Sequence, residues 1–256
     1  MTNKKSYSNT GKCIWCGRKA PHVSFETAPH ILPQSLGGCE IGKDICDDCN
    51  HYFGTATIGT PSIDITYKEI FNAFRIFGDN LSADSYKRLS SIFFTYKHSK
   101  KKIYIKSNFR SHIITRQFKR SLYNVFLQKY HLVTGNGNHE MFDVVRKFAR
   151  YNIGNPKVFY AFNNILLTTA DKDNPSLIIS QQMIDEMFQS GVFSFWFLGH
   201  WFFLEIFPTA FNINGKSYLR KQAESILLPA KGNECIFELT DIMQIDFLMQ
   251  RWHTEE

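Results

Sequence analysis

Long apolar runs are scarce in this 256-residue chain. The opening stretch, "MTNKKSYSNTGKC", is polar and has no apolar h-region, which argues against a secretory signal peptide. The greasiest segment, "VFSFWFLGHWFFLEIF" from Val192 to Phe207, is short for a helical span and carries His200 and Glu205. It therefore suits buried strands better than a membrane helix. Repeats and low-complexity tracts are also missing, which excludes a solenoid. With 43% hydrophobic and 15% aromatic residues, the chain has ample material for a packed core and is not disordered. The expectation is a soluble cytoplasmic protein with no membrane partner.

Acidic residues are nearly absent from one region. Between Lys97 and Arg150 stand thirteen Lys/Arg, opposed only by Glu140 and Asp143, so the local excess of +11 exceeds the +7 of the whole chain. Such clustering is the footprint of a phosphate-backbone binder, although a solvated helical face has the same composition. Apolar and aromatic residues interleave with the charges ("KKKIYIKSNFR", "RQFKRSLYNVF"). The segment thus reads as folded, with its charge on a surface. Lys100, Lys101, Lys102, Arg116, Lys119 and Arg120 are its candidate nucleic-acid contacts.

Of the six cysteines, four form two tight pairs, Cys13-Ile-Trp-Cys16 and Cys46-Asp-Asp-Cys49. Two intervening residues let both thiolates of a pair reach one ion, and two pairs complete a tetrahedral Cys₄ zinc site. A redox role fits a single pair better than two matched ones. Such a site is closed, so it holds the fold and leaves chemistry to other residues. Cys39 and Cys235 lack partners at ligand spacing and read as ordinary thiols.

Between the pairs lie "HVSF" and "HILP", two short apolar segments, then the Gly37-Gly38 turn and "ICDDCNHYFG", which opens a helix. Two short strands and a helix pinned by zinc is the expected arrangement. Cys-x-x-Cys, then "HILPQSLGG", then "ICDDCNHYFG" resembles the zinc-stabilised HNH endonuclease family over about residues 13–54. The resemblance implies a ββα-metal nuclease that hydrolyses DNA, with RNA as an alternative substrate. His30 takes the general-base role, and Asn50 matches the final metal-ligand position. The implied catalytic cation is Mg²⁺ or Mn²⁺. The residue before the histidine, commonly an acid in this family, is here Pro29, and the middle Asn of the family name is missing. Glu26, Asp44 and Glu40 are the carboxylates within sequence reach; Glu26 is the first choice and Asp44 the second. His51 is a further candidate ligand or DNA contact, whereas His22 faces away. A role in defence or restriction follows by family analogy. A fold that binds nucleic acid without cutting it is the alternative reading.

Beyond "FGTATIGTPSID" the pattern changes to longer periodic segments, which places a boundary near residue 62. The fold class is α+β, with a zinc-bound nuclease module at 1–62 and a larger α+β recognition domain at 63–256. Helices are expected over "SADSYKRLSSIFFTY", "TRQFKRSLYNVFLQKYHLV" and "HEMFDVVRKFARYN", with a break at "GNGN". "KKIYIKSNF", "KVFYAFNNILLTTA" and Val192–Phe207 read as strands, the last two pairing in an aromatic-rich antiparallel sheet. A homodimer is compatible with all of this.

Overall fold

The structure, a computed structural model, describes residues 5–78, 91–97, 102–162, 177–197, 200–225, 236–246 and 252–254. Lys100 and Lys101 lie outside these, as does most of the helix expected at "SADSYKRLSSIFFTY". The longer helices among the described residues are α1 (Asp47–Gly54), α2 (Ile63–Gly78), α3 (Ser111–Thr134), α4 (Asp143–Tyr151), α5 (Gln181–Ser190) and α6 (Lys216–Glu224). Strands β1 (Phe94–Lys97), β2 (Lys102–Ile105) and β7 (Trp252–Thr254) form one sheet in the order β1-β2-β7. Strands β3 (Val158–Phe162), β4 (Val192–Phe197), β5 (His200–Glu205) and β6 (Phe237–Glu238) form an antiparallel sheet in the order β4-β5-β3-β6. The chain is α+β.

Phe94–Lys97 is strand where helical spacing predicts helix. Phe94 pairs with Ile105 and Lys97 with Lys102 across the antiparallel partner β2. The turn before it is fixed by Ser91, whose hydroxyl accepts the N–H groups of Phe93 and Phe94 at 3.1 Å each. Aromatic and β-branched residues fit such a pleated surface, and the pairing overrides the local period.

The aromatic sheet is a core, as its composition predicts. Phe193, Phe195, Phe202 and Phe203 are buried, and Trp196 stacks on Trp201 with centroids 3.9 Å apart. Inside it, His200 Nδ1 lies 2.9 Å from the Tyr160 hydroxyl, and burial pulls the His200 pKa down to about 3. The unfolded histidine binds its proton near pH 6.5, so this group's contribution is complete above 6.5 and is lost as pH falls from there toward 3. The wild type should therefore lose up to about 1.4 kcal/mol per pH unit in that window beyond any loss in a folded His200→Gln variant. Urea titrations of both at pH 7 and pH 5 measure the difference, and equal losses would dismiss it.

Helix α3 is the axis of the molecule. From Ile114 to Lys129 nearly every turn is buried, polar residues included, and Gly135 with φ 74° closes its end at the predicted break. For Lys119, Arg120 and Lys129 this corrects the expectation that the basic segment faces solvent, whereas Lys97, Arg110 and Lys147 are exposed. Arg120 is 4% exposed: its guanidinium donates to the Phe148 and Ala149 carbonyls at the end of α4, to Gln117 Oε1 at 2.6 Å and to the Tyr52 hydroxyl at 2.6 Å. Lys119, 5% exposed, donates to Asn155 Oδ1 at 3.0 Å, and its burial lowers the ammonium pKa. Arg116 donates to Asn152 Oδ1 at 2.6 Å and to the Asn152 and Gly154 carbonyls at 2.9 Å. Lys129 pairs with Glu40. These cations cap the carbonyl end of α4 and tie loops to the central helix. Lys102 sits in β2 opposite Lys97, with its side chain outside the described residues. Arg120→Met should strand those acceptors and cost at least about 1–3 kcal/mol of stability. The salt slope of any nucleic-acid binding should not change with it. Chemical denaturation and salt-dependent binding measure the two effects, and a flattened slope at unchanged stability would reverse the assignment.

One buried cluster contains Trp15, Phe53, Tyr67, Phe118 and Phe202 together. The boundary expected near residue 62 falls between α1 and α2, whose buried side chains share that cluster. Among the described residues, no helix is long and apolar enough to cross a membrane.

Candidate functional site

The first cysteine pair lies in a tight turn: the Gly17 N–H donates to the Cys13 carbonyl and the Cys13 N–H to the Arg18 carbonyl, both at 2.9 Å. The second pair sits at the start of α1, with Cys46 as N-cap and Cys49 in the first turn. The four Sγ atoms all lie within 4.8 Å of one another, with Cys16 and Cys46 3.7 Å apart. The backbone N–H groups of Trp15 and Cys46 each donate to Cys13 Sγ at 3.4 Å. The Cys13 thiol is drawn down to about 5, chiefly by its hydrogen bond with Cys49. Burial pushes Cys46 up to about 12, and the bond to Cys13 together with burial pushes Cys49 higher still. Four thiols this close cannot all ionise beside one another, and a dication at their centre removes the conflict. The donor set therefore fits a closed structural zinc site.

A zinc ion with four thiolates carries two net negative charges, and two arginines stand ready to offset them. Arg18 sits beside Cys16 and pairs with Asp48 at 2.6 Å, and both neighbours favour its charged form. Arg150 reaches from α4 with its Nε 3.4 Å from Cys49 Sγ, and its guanidinium lies 3.8 Å from the centroid of the Tyr52 ring. Outer groups of this kind tune a metal site and hold its ligands in orientation.

The residues between the pairs form a folded-back loop. The two strands expected at "HVSF" and "HILP" are reduced to a single bridge, His30 with Ile41. The Ile31 N–H donates to the Glu40 carbonyl at 3.1 Å and the Gly42 N–H to the Pro29 carbonyl at 2.7 Å. Pro29 is asked only for its carbonyl, so its missing N–H costs nothing here. The two glycines meet different needs. Gly37 ends the 3-10 turn Gln34–Leu36 at φ 89°, a conformation other residues resist. At Gly38 a Cβ would stand 2.2 Å from the Leu32 carbonyl oxygen. Asp47 pins the other side of the loop by accepting the Glu26 and Thr27 N–H groups at 3.0 and 2.8 Å. Burial alone would raise the Asp47 carboxyl, but bonds from Ser24 and those N–H groups hold it below its usual range.

His30 and Asn50 converge on one cavity of about 280 Å³. Its wall also includes Pro33 and Gly54, Asp64 and Tyr67 from α2, and Asn124 from α3. His30, Asn50 and Asp64 are each half-buried, and none spends its side chain on a hydrogen bond or ion pair among the described residues. Burial without any compensating bond pushes the Asp64 carboxyl up to about 7. The Tyr67 hydroxyl is buried with no partner among the described residues. An imidazole, an amide and a carboxylate, all unspent around one opening, can receive a hydrated cation and an anionic substrate.

The other candidates lie elsewhere. Asp44 is fully buried and saturated, taking the Ser8 hydroxyl at 2.5 Å, the Asn9 and Thr10 N–H groups at 2.9 Å, and His131 Nε2 at 3.0 Å. Glu26 is exposed and is not among the residues lining the cavity. The Nε2 of His51 lies 3.2 Å from the Thr55 hydroxyl on the exposed side of α1. Glu40 is paired with Lys129. Asp64 was absent from the sequence candidates because it follows the cysteine segment and has no motif of its own. It lies in the first turn of α2, a helix not among those expected from the sequence.

Comparison with curated proteins and with solved structures gives no match to this chain. Residues 13–58 match the HNH endonuclease family, a segment that contains all four cysteines, His30 and Asn50 and that ends before α2 begins.

Proposed function

We propose that the chain is a cation-dependent HNH-type nuclease that hydrolyses phosphodiester bonds of nucleic acid, DNA in the first instance, from the cavity holding His30 and Asn50. The observation that carries this reading is the convergence of those two side chains, both from the matched segment and both unspent, on one opening. His30 would take the proton from the attacking water, a role suited to an imidazole near neutral pH. A divalent cation held beside Asn50 would offset the charge that builds on the phosphate. Zinc at the four cysteines stays outside this chemistry, since its coordination is closed by protein.

The test is nicking of supercoiled plasmid by the zinc-loaded chain with Mg²⁺ or Mn²⁺. Conversion to open-circular and linear forms that stops with a chelator of the added cation supports the proposal. Salt-sensitive binding without cleavage of DNA or RNA would instead mark a silent nucleic-acid binder.

A further inference from the structure

We propose that Asp64, in the first turn of α2, is the carboxylate ligand of the divalent cation in this cavity and takes the place that Pro29 cannot fill. The inference rests on the nuclease reading for its purpose, but its evidence is separate, because Asp64 lies outside the matched residues 13–58. Hard cations such as Mg²⁺ and Mn²⁺ take oxygen donors and bind through one or two carboxylates, with water completing the shell. His30 is kept for the proton of the attacking water and Asn50 offers only an amide oxygen; neither brings negative charge to the cation. Asp64 is the only carboxylate among the described residues lining the cavity.

Its position is built rather than incidental. The Ser62 hydroxyl accepts the Ile65 N–H at 3.1 Å and the Ser62 carbonyl accepts the Thr66 N–H at 3.0 Å, which fixes the first turn of α2. A Cβ built on Gly54 would lie 3.8 Å from Asp64 Oδ2, so the carboxylate comes close to the end of α1, the helix that carries Asn50. A half-buried carboxylate with no partner is costly for the protein alone, and a bound cation would relieve that cost. Tyr67, one helical turn later on the same face of α2, supplies the second observation. It lines the same cavity, is 1% exposed, and its hydroxyl has no partner among the described residues. A buried hydroxyl left in this state points to a polar ligand in the cavity.

The experiment measures Mn²⁺ binding to the full zinc-loaded chain by loss of the free-ion paramagnetic resonance signal, with thermal unfolding and plasmid nicking run in parallel. Asp64→Asn should weaken Mn²⁺ binding by more than about tenfold, the lower end of the effect seen for outer-sphere partners. Without Mn²⁺ the variant should be as stable as wild type or more so, because it removes an unpaired charge. Mn²⁺ should raise the unfolding temperature of the wild type and not that of the variant. Glu26→Gln should bind Mn²⁺ like the wild type. Unchanged Mn²⁺ binding by Asp64→Asn, no Mn²⁺ binding by the wild type, or a variant less stable than wild type in the absence of Mn²⁺ would each overturn the assignment. If the wild type cuts plasmid while Asp64→Asn binds Mn²⁺ normally, this inference fails and the nuclease reading stands. If Asp64→Asn loses Mn²⁺ binding while the wild type cuts no nucleic acid, the nuclease reading fails and the cation site stands.

Discussion

Cys46→Ser is expected to unfold the N-terminal segment rather than weaken it slightly. Cys46 is fully buried, is the N-cap of α1, and places its sulfur 3.7 Å from Cys16. Short segments of this kind have little secondary structure of their own; the loop from Pro29 to Gly42 has one bridge and a few backbone bonds, and otherwise depends on its Glu40–Lys129 pair and on Ile31, Leu32 and Leu36 in the core. Zinc binding contributes about 10–16 kcal/mol in small zinc-finger peptides. That is as large as the roughly 5–15 kcal/mol by which whole proteins are stable. The loss should spread, since Trp15 and Phe53 pack in the same cluster as Tyr67 and Phe118. Elemental analysis should find one zinc per purified chain, and circular dichroism should show a much lower unfolding temperature for the variant. Absence of zinc from protein never exposed to chelator, or an unshifted melt, would remove the structural-zinc assignment.

His30→Ala is expected to abolish cleavage while leaving fold and nucleic-acid binding in place. The imidazole makes no hydrogen bond or ion pair among the described residues, so the protein loses no internal bond when it is removed. A positioned general base contributes about 10²–10⁴ in rate, and kcat should fall by that factor with KM little changed. Raising Mg²⁺ or Mn²⁺ should not rescue the variant, because the missing function is proton transfer. A variant that cuts at the wild-type rate would mean that another group serves as base.

The zinc ligands were legible because two matched Cys-x-x-Cys pairs leave few chemical alternatives, and their sulfurs do gather within one coordination sphere. The spacing of "HILPQSLGG" and "CDDCN" singled out His30 and Asn50, and both line one cavity; Gly37 sits at the expected turn, while the close approach at Gly38 appears only in the structure. That Val192–Phe207 would be buried strand was legible because a run so rich in Phe and Trp has little use but to be buried; that it folds on itself as β4 and β5 was not. Nor was the direction of the cations on α3. A count of Lys and Arg reports charge and not its direction, and Arg116, Lys119, Arg120 and Lys129 turn inward to carbonyls, amides and Glu40. Asp44 also looked available in sequence, near the start of α1. Yet its chain position, at φ 57°, aims it at Ser8, Thr10 and His131 instead.

By itself, then, the sequence determined the local chemistry: which cysteines can share an ion, which histidine is set in the loop, where helices break, and that the chain is α+β. These depend on residues within a few positions of one another, where spacing fixes geometry. The tertiary structure decided which distant side chains meet. It brought Asp64 and Tyr67 of α2 to the wall that holds His30 and Asn50, and it buried the cations of α3 against the end of α4. Those outcomes follow from packing helices around a shared core, a free energy set by the shape of the whole chain and invisible in any short window of it.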